Sequence, residues 1–442
     1  MLRIAYFTEI APPMQSRRLF SFRHLIPKLA LIYVASVSLM ILSIVAVNLI
    51  PNDPILRHLR QSLPTENYTV LFGSTPTDQF AECAEATVGI SPNNSALGLI
   101  ERSIRTPTLG SCDQAWQFLK TGTSNAADNQ WFYWNGAQII MRPALALTSL
   151  LNVRALTLFL FVSSFMFAFL SLYRYGLNLA GLGLFAGLFC VHLQSALFLL
   201  PHAMDWVIGF VACGWAVTAL KGNAPISANR FSCAFFLIGS LDAFFSQFCY
   251  PLLSLTIPLF GVFWAAGFQR EKRMVDSLVL VLAATCFWSI GYAAIWSTKW
   301  LLATFFIDDV FANVLGAAKF RLNGASGEIA MTLAKSFISV LRETQATAIF
   351  AVVCFITSLV PLVRFVKTLD RPWVDLSSFV IICALPFVWF AELINLTIIH
   401  AWFVSAGLYV SFAMLFSLLL TSWNAQSSSW YRCRPSRENR SA

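Results

Sequence analysis

From Leu29 to Ile50 the chain runs without a single charged side chain. A helix needs roughly 20 consecutive apolar residues to cross the hydrocarbon core of a bilayer. Nine further segments come near that length: 154–173, 178–200, 205–220, 231–248, 251–268, 277–297, 346–366, 377–396 and 401–421. The 442-residue chain is 57% hydrophobic and 12% charged, too few polar residues to cover a soluble core of this size, so it must present apolar surface to lipid. The expected fold class is all-α: a polytopic helical membrane protein with about ten transmembrane helices. The pairs 178–220 and 231–268 each read either as two short helices or as one span with a re-entrant piece.

Lys and Arg near helix ends set the expected orientation. Residues 1–28 carry Arg3, Arg17, Arg18, Arg23 and Lys28 and should be cytoplasmic. Ten crossings return the C-terminus to the same side, where the tail carries Arg432, Arg434, Arg437 and Arg440. Arg174, then Lys221 and Arg230, then Arg270, Lys272 and Arg273, then Arg364, Lys367 and Arg371 fall in the intermediate inner loops. The net charge of +9 is thus an orientation signal rather than a nucleic-acid footprint, since the charges sit at helix ends. The first helix is longer than a signal-peptide apolar region and no small-x-small cleavage site follows it, so it reads as a retained anchor. The tail, 422–442, is polar and basic and is expected to be disordered.

Within the membrane domain, 29–421, the connection 51–153 is exceptional, and loops of that length are usually functional or separately folded. It opens with Pro51-Asn52-Asp53-Pro54, read as a turn, and Pro76-Thr77-Asp78 can start a helix. Trp131, Phe132, Tyr133 and Trp134 suit a headgroup-level aromatic belt, and the apolar run after them suits an interfacial helix. Cys83 and Cys112 lie in this loop, where thiols can oxidise, so a disulfide between them is one reading and two free thiols the other. No cysteine or histidine spacing points to zinc, no cofactor is implied, and a divalent metal is left open. A second long outer segment, 298–345, reads as amphipathic helices joined at Arg321–Glu328.

Ionisable residues in or at the edge of spans are costly in lipid and mark candidate sites. Asp242 and Glu392 lie in predicted spans; His202, Asp205, Lys299 and His400 lie at predicted outer helix ends. All fall on the side of the large loop, which points to an outward-opening polar cavity. Each also has a purely structural reading: Asp242 paired between helices, Lys299 snorkelling to headgroups, His400 satisfied at the interface, Asp53 a turn residue, Asp78 a helix cap, Arg142 a headgroup contact.

The stretch from Trp131-Phe-Tyr-Trp-Asn135-Gly through Met141-Arg142-Pro143 resembles a segment of a bacterial membrane-protein family that reads like RYWHGY-x-x-x-LRPLL. Gly239 to Pro258, Gly291 to Trp300 and Pro386 to Phe403 are similar to the same family. The arrangement also resembles the GT-C superfamily of lipid-dependent glycosyltransferases. Asn135 stands where the family has His, and Ala406 where an Arg commonly follows the Ile399-His400-Ala401-Trp402-Phe403 stretch. The resemblance implies a multi-pass protein of the bacterial inner membrane that takes a sugar from a polyprenyl-phosphate donor. It implies an acidic base on the first outer loop, Asp78 first and Asp53 second, because the acceptor hydroxyl must lose its proton. It implies cations for the leaving phosphate, for which Arg142, Lys299, His400 and His202 are candidates, with Asp242 and Glu392 holding the cavity together. Two other readings compete: a non-catalytic subunit of an envelope assembly, and a transporter or flippase of a lipid-linked saccharide, for which the inner helix halves are too apolar. The expected partners are membrane lipid and the lipid-linked sugar, with no nucleic acid.

Overall fold

A computed structural model describes residues 22–63, 79–90, 97–123, 128–191, 193–221, 227–247, 250–267, 277–323, 372–392 and 405–432, with isolated positions between them. Among these, five helices are long and apolar enough to cross a membrane: Arg23–Asn48, Leu150–Arg174, Leu200–Lys221, Ser277–Ala303 and Ser405–Asn424. Shorter apolar helices cover Asn178–Cys190, Leu252–Ala266 and Asp375–Ala391. The chain is an all-α membrane protein, whose only described strands are two-residue pieces, Pro107–Thr108 (β1) and Asp128–Asn129 (β2), paired antiparallel.

The first helix, α1 (Phe22–Asn48), is the most lipid-facing: Leu31, Val34, Leu39 and Leu42 are all exposed. It packs on α11 (Ala228–Phe245), which in turn packs closely on α13 (Ser277–Ala303). Glycines permit that approach, because a Cβ at Gly239 would strike the Trp288 carbonyl and one at Gly291 the Phe236 carbonyl. Helix α7 (Leu150–Arg174) packs on α10 (Leu200–Lys221), and α10 on α12 (Leu252–Gly267). The segment 178–200 is broken into α8 (Asn178–Gly187), a 3-10 turn at Leu188–Cys190 and the short α9 (Gln194–Phe198). Four glycines in 176–187 and the absence of a charge are compatible with either reading of that pair, and packing on a partner decides it. The partner is α16 (Tyr409–Arg432), where Tyr409 Oη donates to the Leu184 carbonyl (2.8 Å) and Ser417 Oγ to that of Ala180 (3.3 Å).

Two expectations change here. The tail is helical as far as Arg432, because no proline interrupts the chain before Pro435. Pro51-Asn52-Asp53-Pro54 begins a helix, α2 (Asn52–Ser62), with Pro51 at its N-cap, since a proline in the first turn removes no needed N–H. The predicted span 346–366 lies outside the described residues except at Ile356 and Val363. In the second outer segment, α13 continues to Ala303 and α14 (Val310–Asn323) follows; 324–345 is outside the described residues. The remaining described helix, α15 (Pro372–Glu392), meets α13 at its start, where Ser277 Oγ donates to Asp375 (3.3 Å).

The first loop is a folded lid. Besides α2 it contains α3 (Gln79–Ala86), α4 (Leu99–Arg105), α5 (Cys112–Thr121) and α6 (Gln138–Leu147). Ser111 and Gln114 form a capping box at the start of α5, and Gly122 ends it in the left-handed region. Ile55, Leu59, Ile90, Leu109, Leu119, Met141 and Leu145 bury their side chains in a core continuous with that of the membrane helices. Burying one such side chain contributes roughly 1.5–3 kcal/mol. The aromatic belt is only partly at a surface, since Trp134 is 2% exposed and its Nε1 donates to the Ile295 carbonyl (2.9 Å).

Candidate functional site

The lid meets the membrane helices at α3, whose sequence packs two carboxylates and a cysteine into Glu82-Cys83-Ala84-Glu85. On a helix these side chains leave in three directions, and each is held by a different element. Cys83 is bonded to Cys112 at the start of α5. Glu82 receives a bidentate pair from Arg154 of α7, Nε and Nη2 both at 2.7 Å, with both side chains buried. Such a fork satisfies both carboxylate oxygens and fixes orientation as well as distance. Glu85 accepts from Gln247 Nε2 (2.7 Å), just beyond α11. Residues 82–90 are all buried.

Burial pushes the Glu85 carboxyl up to about 8, against the lowering effect of hydrogen bonds from the Gln138 backbone and the Gln247 side chain. Desolvation wins because a lone carboxylate loses more hydration in a dry setting than these donors restore. At neutral pH Glu85 is mostly protonated. Gln247 also donates to Asn135 Oδ1 (3.2 Å), and Asn135 Nδ2 donates to the Gln130 carbonyl (3.3 Å). Asn135 has φ +54°, a region that Asn and His both tolerate better than most residues. Gly136 follows because its N–H donates to the Phe244 carbonyl (2.9 Å) at a distance no Cβ would allow.

Beside Gln247 lie the other intramembrane acids. Asp205 of α10 and Asp242 of α11 face each other at the lid end of their helices, both fully buried. The Ser246 and Ser254 hydroxyls neighbour them, and the Tyr250 N–H donates to Asp205 (3.3 Å). His202 is also fully buried, with Nδ1 3.2 Å from the Tyr250 hydroxyl. Tyr292 of α13 lies within electrostatic reach of Asp242 on one side and Arg321 of α14 on the other. The structure therefore brings Asp205, Asp242 and His202 together in one buried polar cluster.

The expected phosphate cations are placed differently. Arg142 is fully buried, and donates to the carbonyls of Val47 (3.1 Å), Val88 (2.6 Å) and Ile50 (3.0 Å) and to Asn52 Oδ1 (2.9 Å). It thereby ties α6 to the carbonyl end of α1 and to the turn after α3. Burial lowers its pKa to about 10, which leaves it charged at neutral pH. Lys299 is 1% exposed, donates to the Ile104 carbonyl (2.7 Å) and sits 5.6 Å over the Trp134 ring. Through these bonds Arg142 and Lys299 both anchor the lid to the membrane helices. His202 packs against Tyr250. Asp53 is exposed in the first turn of α2, where it complements the helix dipole. Glu392 is the last residue of α15. Asp78, one position before α3, and His400 lie outside the described residues. No group of His, Cys, Asp and Glu suited to a metal ion occurs among the described residues.

Sequence reasoning missed Glu82, Glu85, Arg154 and Gln247. The available signal was two carboxylates three apart in a short, otherwise apolar stretch, Ala81 to Ile90, flanking a cysteine. Comparisons with family models, curated proteins and solved structures find no match for this chain.

Proposed function

We propose that the chain is an N-in, C-in protein of the bacterial inner membrane with about ten spans, and that it transfers a sugar from a polyprenyl-phosphate donor to an envelope acceptor on the outer face, as GT-C enzymes do. The observation that supports this reading is the fastening of α3 to the lid ends of α7 and α11, by Glu82 and Glu85, with Cys83 tying it to α5 within the lid. It holds α3, which begins one residue after Asp78, next to the membrane helices, where a lipid-borne donor would arrive sideways. In the transfer, the bond from the anomeric carbon to the phosphate oxygen breaks as the acceptor oxygen bonds to that carbon. The acceptor proton goes to a carboxylate, Asp78 first and Asp53 second, and the polyprenyl phosphate leaves with its new charge met by a cation. Glu85, protonated at neutral pH, is a poor base there and acts as a fastening group.

The test is transfer of labelled sugar from polyprenyl phosphate by the purified protein in nanodiscs, with Asp78→Asn and Asp53→Asn beside it. We expect Asp78→Asn to reduce the rate at least a hundredfold, about 3 kcal/mol in the barrier. Undiminished transfer by both variants removes the assignment of the base. A second reading, a non-catalytic subunit of an envelope assembly, is favoured by one observation: Arg142 and Lys299 spend their donors on backbone carbonyls. Absence of transfer from the wild type across polyprenyl-phosphate hexoses and pentoses would favour it.

A further inference from the structure

Helix α13 carries Trp288, Tyr292, Trp296 and Trp300 at four-residue steps, so the four rings share one face. Trp288 and Tyr292 stack at 4.8 Å and 14°; Tyr292 and Trp296 are 6.2 Å apart, Trp296 and Trp300 5.8 Å. Phe132 of the lid joins this rail 5.6 Å from Trp300 and 6.3 Å from Trp296, and Tyr133 lies 5.9 Å from Trp296. At 1.5 Å per residue the rail is roughly 18 Å long, more than half the thickness of a bilayer core. At its lid end stands Arg321, the guanidinium 5.2 Å over the Phe132 ring and Nη2 donating to the Tyr133 hydroxyl (3.0 Å). Trp288 and Trp296 are buried and back the rail, whereas Tyr292, Trp300, Phe132, Tyr133 and Arg321 are half-buried, so the surface these five form is partly accessible.

The donors on this face point inward. Trp288 Nε1 donates to Ser254 Oγ (2.9 Å), Trp300 Nε1 donates to the Phe132 carbonyl (3.3 Å), and Trp296 Nε1 is buried. What remains outward is ring carbon, which suits hydrocarbon better than the hydroxyls of a sugar. A planar fork of N–H donors at one end of an apolar track suits a phosphate monoester at the head of a chain. We propose that Arg321, with Phe132 and Tyr133, binds the phosphate of a lipid monophosphate whose chain lies along the half-buried Trp300 and Tyr292. This deepens the transferase reading by naming where its donor lipid would sit, and it can be measured without any transfer.

The experiment uses the full chain in phosphatidylcholine nanodiscs, titrated with farnesyl phosphate, farnesol and inorganic phosphate, with tryptophan fluorescence as the readout. Farnesyl phosphate should bind saturably, and farnesol and inorganic phosphate at least tenfold more weakly. Arg321→Ala should weaken farnesyl phosphate at least tenfold and Arg321→Lys less. Tyr133→Phe, which keeps the ring and removes the hydroxyl, should cost two- to fivefold and guards against misfolding of the arginine variants. Equal binding of farnesol would overturn the phosphate half of the proposal, and equal binding of inorganic phosphate the lipid half. Unchanged binding by Arg321→Ala overturns it outright. Binding without transfer would sink the enzymatic reading alone; transfer with Arg321→Ala binding and turning over normally would sink this one alone.

Discussion

The lid and the helical body cohere by opposite means. The lid is held by charge and hydrogen bonds aimed at backbone: Arg142 on three carbonyls, Lys299 on Ile104, Trp134 on Ile295, with the Glu82–Arg154 fork and one disulfide. The body is held by close approach. Gly183 meets Ser417 on α16, Gly187 comes up to Ala413, and Gly239 and Gly291 let α11 and α13 touch backbone to side. In lipid the hydrophobic effect gives helices no reason to prefer each other over acyl chains, so contact area through small residues must supply the attraction. Near water, apolar burial is available again, but a lid built of short helices leaves many carbonyls and N–H groups to satisfy. Long cationic side chains reach them.

That contrast can be broken at either end. The largest effect should come from Arg142→Met, which strips donors from one buried and three part-buried acceptors and is expected to destabilise the lid by about 5 kcal/mol. Limited proteolysis should then cut within 51–137 while the membrane helices stay intact; cleavage no faster than wild type would mean that the clamp is redundant. Next comes Gly291→Ala. In a roomy helix the change gains up to about 1 kcal/mol, but here the Cβ meets the Phe236 carbonyl, so we expect a net loss of about 2 kcal/mol. Thermal unfolding in detergent, followed by circular dichroism, reads the sign directly.

The last effect is a pH dependence. The Glu85 carboxyl has a folded pKa of about 8 against an ordinary 4.5, so the folded state holds a proton the unfolded state has lost. Stability from this group is greatest below pH 4.5 and declines as pH rises towards 8, by about 1 kcal/mol per pH unit. Glu85→Gln should flatten the melting temperature between pH 6 and 8 relative to wild type. An equal slope in both would assign the dependence elsewhere.

The body was more legible in the sequence than the lid. The charge-free run ending at Ile50 announced α1, and Asp205, His202 and Asp242 were readable as a group because ionisable side chains are conspicuous among apolar neighbours. Cys83 and Cys112 stood out for their place in the outer loop. The fate of Arg142 and Lys299 was not readable: a cation beside a membrane looks the same whether it faces phosphate or carbonyls 54 or 195 residues away. Glu85 was hidden for the same reason, since its burial depends on Gln247, 162 residues later. The break in 178–200 was also out of reach, because α16 decides it from the other end of the chain.

The bond from Lys299 to Ile104 spans 195 residues, and Trp134 waits 161 residues for the Ile295 carbonyl. At roughly 5–20 residues per second of synthesis, the lid emerges roughly 10 to 40 s before its last anchor exists. Arg154 and Arg142 arrive much sooner, so the disulfide and the Glu82 fork can close while α13 is still unmade. Biogenesis of this protein is then a two-stage clasp. An early, self-contained fastening shelters the lid, and a late one locks it to α13, so truncations between residues 175 and 290 should yield a closed but unlatched lid.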